Sequence, residues 1–563
     1  MLRVKFLLVL CFSLAIALNL HHMSADNQPT KFERQDKTYK TDKLDADSFV
    51  LARQFQNHMV LQRAPQRANI YGFSPTIGQK VTLQLVTVPA TKTYSYETTV
   101  HQDGTWNFVL DPFAAGVTVN IRVDSGGVSH SISDVIFGDV WICSGQSNMQ
   151  MTVFQIDGAA EEIADAHNYP NIRLMTVSMN ESSTPLRNLI QIDEPWSKAN
   201  NSSVGSHTPW TYFSAVCWLF GKSIYKARRT PIGLVATDWG GTVIKAWSSP
   251  EALAHCGVHE TDDQQEFHKE LLKDVPDRDR YRLQGPKNNS VLWNSMIHPL
   301  LGMTIYGAIW YQGESDSGGA PRNIYNCTFP TMIKDWRGNW NRASNGQTSA
   351  TFPFGFVQLA PYHPSPGSTS GFSDIRWHQT ADRGYVPNPD MPNVFMAVAV
   401  DLPDFNSTYG SIHPRYKRDV GARLALSGLA VAYHQSGIFQ GPLPTGSHSS
   451  ASGLIVDYGN TWKLSVVIND GFEVQCAHLR WVADPIVAHT NTTVTLKPNI
   501  CHTGEKITGL RYAWSESPCA LHRCAIYETS HNLPGPPFIS YADFDPKGEP
   551  YFTFDQQTHI RND

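Results

Sequence analysis

The sequence lacks a strong charge of either sign and, beyond its first 25 residues, any long hydrophobic run. Its 45 basic and 50 acidic residues leave a formal net charge of −5 over 563 residues, which is too weak to indicate nucleic-acid binding. No later stretch reaches the ~18–20 apolar residues of a membrane-spanning helix. No Cys/His pair has zinc-ligand spacing matched by a second pair, and no cofactor is indicated.

The first 25 residues have the pattern of a secretory signal peptide. Arg3 and Lys5 precede an apolar run from Phe6 to Leu18, and the small residues Ser24 and Ala25 follow. This basic segment and short apolar core are typical of a cleaved signal rather than of a membrane anchor. We therefore expect the mature protein to enter the secretory pathway and to be lysosomal or secreted.

Glycosylation sequons and cysteines agree with that compartment. Seven Asn-X-Ser/Thr acceptors occur, at Asn180, Asn200, Asn201, Asn288, Asn326, Asn406 and Asn491. Eight of the nine cysteines follow the signal, and an even number in an oxidising compartment is compatible with disulfides. The pairing does not follow from the sequence. Cys143 and Cys217 lie in apolar segments and are candidates for buried free thiols.

The chain after the signal divides into three regions that differ in their pattern of apolar and polar residues. Residues 26–133 begin with a polar leader and then alternate between apolar and polar positions, which predicts a small antiparallel β-sandwich. Residues 134–434 alternate apolar strands with helical patterns, except for a charged insertion at about 250–289. Residues 435–563 again have strand-like patterns and are predicted to form a C-terminal β domain that contains the last four cysteines.

The middle region predicts a three-layer α/β domain with a parallel sheet. Near-continuous apolar runs are typical of parallel strands that are covered on both faces. Five such strands are predicted, in the segments VIFGDVWIC, PIGLVATDW, IYGAIWYQ, FPFGFVQLA and VFMAVAVDL. Helical periodicity occurs between them, for example at Phe213, Val216, Phe220 and Ile224.

Polar and small residues follow four of these five strands. The segments are SGQSNM, DWGGTVIKAW, YQGESD and DLPDFNSTYGSIHP. Because the carboxyl ends of parallel strands meet at one edge of an open sheet, where such folds place their sites, the four segments predict a single active site.

The residue types at these strand ends fit acyl transfer, which needs a nucleophile, a base and donors to an oxyanion. Ser147 is the candidate nucleophile and His413 the candidate base. The N–H groups of Ser147 and Gly241 and the side-chain amide of Gln312 are candidate oxyanion donors. A serine after a strand commonly caps a helix, and Ser144 is a rival, but the joint placement favours a serine esterase.

Four motifs resemble those of sialate O-acetylesterases, within the broader SGNH-type carbohydrate-esterase group. They are GDVWICSGQSNMQM, WGGTVIKAW, WYQGESD and IHPRYKRDVGARLAL, and similar segments occur in both flanking β regions. The resemblance implies an SGNH-hydrolase-like catalytic domain and metal-free hydrolysis of O-acetyl groups, 9-O-acetyl foremost, from sialic acids or sialoglycans. It also implies that Ser147 is the nucleophile and His413 the base, with Gly241 and Gln312 flanking the site.

One departure from the family pattern concerns the third catalytic residue. Many SGNH esterases have an Asp three residues before the His, but that position is Gly410 here. Asp401 and Asp404 lie upstream and are the candidate acids that would orient the imidazole. A backbone carbonyl that holds His413, which would give a Ser–His dyad, is the alternative.

Two other functions compete with this interpretation. An esterase for another acetylated carbohydrate, such as xylan, would use the same catalytic groups. A sialic-acid site should offer a cation to the substrate carboxylate, and Arg322, Arg376 and Arg415 lie near the relevant segments. A secreted carbohydrate-binding protein without catalysis is the alternative from a different class, against which Ser147 and His413 in their motifs argue.

Overall fold

A computed structural model describes residues 48–205, 208–211, 213–258, 271–280, 283–363, 368–476, 480–544 and 550–554. The predicted signal peptide and nearly all of the polar leader lie outside these residues. Within them, no helix combines the length and the apolar character needed to cross a membrane.

The N-terminal region is built mainly from short antiparallel strands, except that Val60–Gln62 pairs in parallel with residues 136–138. In the strand Lys80–Thr87, Val81, Leu83 and Leu85 point into the core while their neighbours are more exposed, as the period of two in a strand requires. The strands are β1 (Val50–Leu51), β2 (Val60–Gln62), β3 (Asn69–Phe73), β4 (Lys80–Thr87), β5 (Thr93–Thr99), β6 (Thr105–Val109) and β7 (Thr118–Ser125). β1, β3 and β6 form one sheet, and β4 pairs with β5 and β7.

The next strand, β8 (Val128–Gly145), belongs to both the N-terminal and the central region. Its first part pairs antiparallel with β7, whereas its last residues lie between two parallel neighbours in the central sheet. Asp134, at the transition, has a positive φ of 55°. The boundary predicted between residues 133 and 134 therefore falls within one continuous strand.

The central sheet contains the five predicted strands and two that the prediction missed. In spatial order its strands are β10 (Ile192–Lys198), β9 (Ile172–Val177), β11 (Ile232–Asp238), β8, β12 (Gly307–Tyr311), β13 (Phe354–Gln358) and β14 (Val394–Val398). All neighbours are parallel except β10, which pairs antiparallel with β9. The predicted count of five parallel strands was thus too low by one. Arg173 interrupts the apolar run of β9, and β10 is a polar edge strand that contains a proline, as edge strands can.

Helices cover both faces of this sheet, which makes the domain mixed α/β. Phe354 and Phe356 of β13 contact Phe329 on one face of the sheet. On the opposite face, Gly355 lies against the ring of Phe395, and Gly428 approaches the same ring. The helices are α1 (Ser147–Gln150), α2 (Ala159–Asp165), α3 (Asn201–Val204), α4 (Ala215–Arg228), α5 (Pro250–His255), α6 (Asp277–Arg280), α7 (Gly319–Arg322), α8 (Tyr325–Ala343), α9 (Phe372–His378) and α10 (Lys417–Tyr433). Short 3₁₀ segments lie at Val153–Gln155, Ala166–Asn168, Ile244–Trp247, His298–Leu300 and Glu314–Asp316, and a π-helical turn at Trp293–Ile297.

The C-terminal region consists of further antiparallel sheets around a core of their own. Its strands are β15 (Gly446–Ser450), β16 (Gly453–Asp457), β17 (Leu464–Val466), β18 (Phe472–Cys476), β19 (Arg480–Ala483), β20 (Ile486–His489), β21 (Thr493–Leu496), β22 (Ile507–Tyr512), β23 (Ile526–Glu528), β24 (Leu533–Pro534), β25 (Phe538–Tyr541), β26 (Asp543–Phe544) and β27 (Pro550–Thr553). The order β20-β21-β16-β15-β27-β26 gives the largest sheet, and β19-β18-β22-β25 gives a second.

All eight cysteines that follow the predicted signal form disulfides. The pairs are Cys143–Cys217, Cys256–Cys327, Cys476–Cys501 and Cys519–Cys524. The interpretation of Cys143 and Cys217 as free thiols was wrong, because β8 and α4 pack together and bring these buried residues into contact. Four disulfides fit a protein that matures in an oxidising compartment.

Candidate active site

The carboxyl end of β8 presents Ser147 on a short helix. Gly145, the last residue of the strand, has a φ of 141°, and a Cβ at this position would lie 2.2 Å from the carbonyl oxygen of Tyr311. Only glycine therefore allows β8 to approach β12 so closely. The N–H of Gln146 then donates to the same carbonyl at 3.0 Å, and Ser147 begins α1.

His413 lies in the loop between β14 and α10 and meets Ser147 directly. Its Nδ1 is 2.7 Å from the carbonyl oxygen of Tyr409, and its Nε2 is 2.8 Å from Oγ of Ser147. Because a carbonyl can only accept, Nδ1 carries the proton and Nε2 accepts from the serine hydroxyl. This is the hydrogen-bond geometry that a serine nucleophile and its base require. The structure thus brings together two residues that are 266 positions apart.

Burial controls the charge of His413. The exposed fractions of Ser147 and His413 are 3% and 0%. Burial in a low-dielectric environment, together with the positive charge of Lys417, lowers the pKa of His413 to about 3, while the bond to the Tyr409 carbonyl opposes this shift. At neutral pH the imidazole is uncharged and can take a proton from Ser147.

Neither of the two acids that the sequence offered for His413 contacts the imidazole. Asp401 pairs with Arg423, at 2.6 Å, and accepts a hydrogen bond of 3.0 Å from the hydroxyl of Tyr527. Asp404 pairs with Arg415 at 2.6 Å. The carbonyl of Tyr409 occupies the position next to Nδ1 instead.

Ser144, the rival nucleophile, lies inside the sheet. It pairs with Thr237 of β11 and Trp310 of β12, and it is fully buried. Among the described residues, its hydroxyl has no hydrogen-bond partner. The imidazole therefore meets Ser147 and not Ser144.

The turn after β11 places Gly241 beside α1, the helix that begins at Ser147. The N–H of Gly240 donates to Oε1 of Gln150, at 2.7 Å, and Gly241 has a φ of 73°. Within the described residues, neither the N–H of Gly241 nor that of Ser147 donates to a protein acceptor, as expected for Ser147 at the start of a helix. Both N–H groups are available to a ligand.

Gln312, the other predicted oxyanion donor, has its amide committed within the protein. Its Nε2 donates to the carbonyl of Thr242, at 3.2 Å, and to the carboxylate of Asp316, and its Oε1 accepts from the hydroxyl of Tyr325 at 2.9 Å. Both amide hydrogens are therefore used. In this arrangement Gln312 braces the loop that follows Gly241.

A buried cluster of three side chains fixes the backbone on both sides of His413. Nδ2 of Asn148 donates to the carboxylate of Glu314, at 2.6 Å, and to the carbonyl of Ile412, at 2.9 Å. Nζ of Lys417 donates to Oδ1 of Asn148, at 2.6 Å, and to the carbonyl of Pro414, at 2.8 Å. This cluster was not predicted from the sequence, although Asn148, Glu314 and Lys417 all lie within the four motifs.

The two ionisable groups of this cluster, Glu314 and Lys417, have pKa values close to neutral pH. Burial raises the pKa of Glu314 to about 7, against the opposing hydrogen bond from Asn148. Burial also lowers the pKa of Lys417 to about 7, against the attraction of Glu314. The two groups stabilise each other's charged forms through Asn148.

Two further residues close the site and were also missed. The ring of Trp210 makes an edge contact with the imidazole of His413, with centroids 4.9 Å apart. The carbonyl of Trp210 accepts from Nε2 of Gln150 at 3.2 Å. Gln150 therefore links Trp210 to the Gly240 turn, and its position three residues after Ser147 in the same motif was the available signal.

The predicted glycosylation acceptors differ in accessibility. Asn201, Asn288, Asn406 and Asn491 are exposed, whereas Asn180, Asn200 and Asn326 are half-buried. The side chain of Asn200 caps α3, and Nδ2 of Asn326 donates to Asp382 at 2.6 Å.

In the described part of the chain, the one group of residues with a spacing suited to a metal ion contains Cys476, Cys501 and Glu505. Its two cysteines are joined in a disulfide, so their sulfur atoms are not available as thiolate ligands.

Comparison with known families is consistent with this geometry. Residues 137–427, slightly more than half of the chain, match the family model described as carbohydrate esterase, sialic acid-specific acetylesterase. Residues 445–542 match the model of the sialate O-acetylesterase C-terminal domain.

Individual proteins are similar over most of the chain. The sialate O-acetylesterase of Mus musculus is 42% identical over 517 residues, which are 87% of this chain and 94% of that protein. The sialate O-acetylesterase of Homo sapiens is 42% identical over 503 residues, with shares of 88% and 92%. A crystal structure of a carbohydrate acetylesterase from Xanthomonas citri has 25% identity and a TM-score of 0.69, and the match covers 87% of this chain and 99% of that one.

Proposed function

This chain belongs to the sialate O-acetylesterase family of carbohydrate esterases, and we propose that it hydrolyses O-acetyl esters of sialic acids and releases acetate. The hydrogen bond of 2.8 Å between Ser147 and His413 is the observation that carries the proposal. The 9-O-acetyl ester is the expected substrate, because it lies at the accessible end of the sugar's side chain.

In the first half of the reaction, Ser147 is acetylated. Oγ of Ser147 attacks the acetyl carbonyl carbon while Nε2 of His413 takes the hydroxyl proton. The resulting oxyanion accepts hydrogen bonds from the N–H groups of Ser147 and Gly241. When the carbon–oxygen bond to the sugar breaks, His413 returns the proton to the leaving sugar hydroxyl.

In the second half, water removes the acetyl group. His413 takes a proton from a water molecule, which attacks the acetyl carbonyl, and the same two N–H groups bind the second oxyanion. The bond to Ser147 then breaks, and His413 returns the proton to Oγ. Acetate leaves, and every group regains its starting state.

The catalytic base acts within a Ser–His dyad. The carbonyl of Tyr409 holds Nδ1–H and thereby selects the tautomer that leaves Nε2 free to accept. Gln312 supports the Gly241 turn, and Asn148, Glu314 and Lys417 hold the segment around His413.

The finer architecture belongs to the same proposal. We assign the region of about 134–434 to the SGNH-hydrolase type, because its base follows the last parallel strand and its nucleophile the strand β8. We assign residues 26–133 and 435–563 to flanking β domains. We also propose that the protein is secreted or lysosomal, in keeping with its predicted signal peptide and four disulfides.

The experiment that tests the function measures acetate release from 9-O-acetylated sialic acid. Wild type, Ser147→Ala and Ser144→Ala are compared, the last as a matched control for a nearby buried serine. We expect release by the wild type and by Ser144→Ala, and a loss of at least about 10⁴-fold in Ser147→Ala. Undiminished release by Ser147→Ala would overturn the assignment of the nucleophile.

Acetylated xylan serves as the second substrate in the same assay. A wild-type protein that prefers xylan would be an acetylesterase for a different carbohydrate and would overturn the substrate claim. A fluorophosphonate probe separates both from a silent binding protein, since only an activated serine is expected to react with it.

A further inference from the structure

A sialic acid carries a carboxylate, and the arginines that the sequence suggested for it are already occupied. Arg322 pairs with Asp374, at 3.2 Å, and Arg415 pairs with Asp404. The guanidinium of Arg376 is fully buried and donates to four backbone carbonyls, those of Leu359, Ala360, Ser515 and Glu516. If the proposed function holds, another cation is needed.

Lys287 lies beside the proposed oxyanion site. Its Nζ donates to the carbonyl oxygen of Gly241 at 2.5 Å. The N–H of Gly285, two residues earlier, donates to the carbonyl of Gly240 at 2.9 Å. Two hydrogen bonds thus hold the segment that carries Lys287 against the Gly240–Gly241 turn.

The ammonium of Lys287 has capacity for an anion. An ammonium has three N–H donors, and the carbonyl of Gly241 takes one. In the described part of the chain Lys287 forms no ion pair with Asp or Glu, and the side chain is only half-buried. It is therefore a partly desolvated cation with further donors available, next to the residue whose N–H is proposed to bind the oxyanion.

Other lysines near the site do not meet these conditions. Lys417 is completely buried, and Asn148 and Pro414 accept from its ammonium. Lys245 is also buried. Lys287 is thus the cation among the described site residues that is both accessible and available.

We propose that Lys287 binds the carboxylate of the sialic acid and so selects acidic sugars over neutral acetylated ones. The amide and carbonyl of Gly241 are the two ends of one residue, and consecutive Cα atoms are only ~3.8 Å apart. When the oxyanion of an ester binds the Gly241 N–H, the distance from that ester to an ammonium on the Gly241 carbonyl is therefore comparable to the size of one monosaccharide. The charge-assisted hydrogen bond would favour the anionic substrate.

The charge state of Lys287 suits this role. Burial lowers its pKa to about 8, and the neighbouring charge of Lys245 acts in the same direction, whereas the buried carboxylate of Asp316 opposes the shift. The ammonium is therefore largely protonated at pH 7 and below.

The test compares two substrates that differ only in the charge of one group: 9-O-acetylated sialic acid and the methyl ester of its carboxyl group. Acetate release is followed for wild type, Lys287→Met and Lys287→Arg. We expect Lys287→Met to lower kcat/KM about 10- to 100-fold on the acid, mainly through KM, and less than about threefold on the methyl ester. Lys287→Arg should recover part of the loss.

The control variant is Lys80→Met, which removes an exposed lysine that pairs with Glu97 in the N-terminal sheet. It should leave both substrates unchanged. An equal loss on acid and methyl ester in Lys287→Met would show that Lys287 only braces the Gly241 turn, and would overturn the proposal. An unchanged kcat/KM on the acid would overturn it as well.

The same assay separates this inference from the proposed function. A wild-type enzyme that releases acetate from neither sugar derivative contradicts the function itself. If the wild type hydrolyses both derivatives and Lys287→Met is as active as wild type on each, the proposed function stands and the role of Lys287 is refuted.

Discussion

The Nδ1–H of His413 donates a hydrogen bond of 2.7 Å to the backbone carbonyl of Tyr409. In a Ser–His–Asp triad a carboxylate occupies this position, where it fixes the tautomer and stabilises the imidazolium that forms. A carbonyl performs the first task and contributes only its dipole to the second. A main-chain atom also cannot be lost by substitution, which makes the orientation of the base independent of any side chain at position 409.

The proposed dyad predicts that neither upstream aspartate is catalytic. We expect Asp404→Asn to keep kcat within a few fold, because its carboxylate pairs with Arg415 and not with the imidazole. Asp401→Asn should also keep kcat in the folded protein. However, it should lower stability by about 3–5 kcal/mol, because Arg423 is left buried without its partner.

Steady-state kinetics and urea unfolding on the same preparations check this prediction. Loss of a true triad acid costs about 10⁴ in kcat. A loss of that size in either variant, with a normal circular dichroism spectrum, would identify that aspartate as a third catalytic member.

The low pKa of His413 predicts an unusual pH dependence. Since burial lowers this pKa to about 3, kcat/KM for a neutral acetyl ester should show no acid limb at the ordinary imidazole value of ~6.5. Glu314 and Lys417 face the same loop and have pKa values of about 7, so the profile is also recorded for Lys417→Met. An inflection near 6.5 in both proteins would contradict the prediction.

Stability should depend on pH for the same reason. Below pH ~6.5 the unfolded chain protonates His413, while the folded chain does so only near pH 3. The unfolded state then binds more protons, so the free energy of unfolding falls as the pH is lowered through this window. We expect His413→Gln to lose less stability than wild type between pH 7 and pH 4, as measured by urea unfolding at each pH. Parallel curves for the two proteins would refute this.

Lys417 is expected to act as a positioning residue for His413. Lys417→Met removes the donors to Asn148 and to the carbonyl of Pro414, so the segment around the base loses part of its support. We expect kcat to fall about 10- to 100-fold, since small misplacements of a catalytic group are costly, with KM nearly unchanged. The rate of fluorophosphonate labelling of Ser147 should fall in parallel.

A matched control is Lys222→Met, which removes another buried lysine, whose ammonium pairs with Glu162 and Asp165 of α2 and not with the Lys417 cluster. It should lower stability without changing the labelling rate. If both variants lose stability and neither loses labelling, Lys417 is structural only.

The disulfide between Cys143 and Cys217 should stabilise β8, the strand that leads to Ser147. The bond closes a segment with a sequence separation of 74, and removal of a native disulfide typically costs about 2–5 kcal/mol. We expect the double variant Cys143→Ala/Cys217→Ala to lose activity at a lower urea concentration than wild type. The variant Cys476→Ala/Cys501→Ala, which lacks a disulfide with a sequence separation of 25, should retain activity to a higher urea concentration than Cys143→Ala/Cys217→Ala. The reverse order would contradict the prediction.

The sequence by itself determined most of the strands of the central sheet and the candidate site residues that follow them directly in the chain. Near-continuous apolar runs identified β8, β11, β12, β13 and β14, because a strand covered on both faces must be apolar along its length. The polar segments after those strands indicated Ser147 and His413 as the candidate nucleophile and base, because parallel strands deliver their ends to one edge. A strand such as β9, whose Arg173 is neutralised by the distant Asp134, does not show this pattern.

Only the tertiary structure decided which groups meet. The partner of Nδ1 of His413 is a main-chain atom, and every residue has a carbonyl, so no residue type could reveal it. The disulfide of Cys143 with Cys217 depends on how α4 packs on β8, and the role proposed for Lys287 depends on a segment set aside as an insertion. Contacts between positions far apart in the chain follow from packing, which a local pattern of residues does not encode.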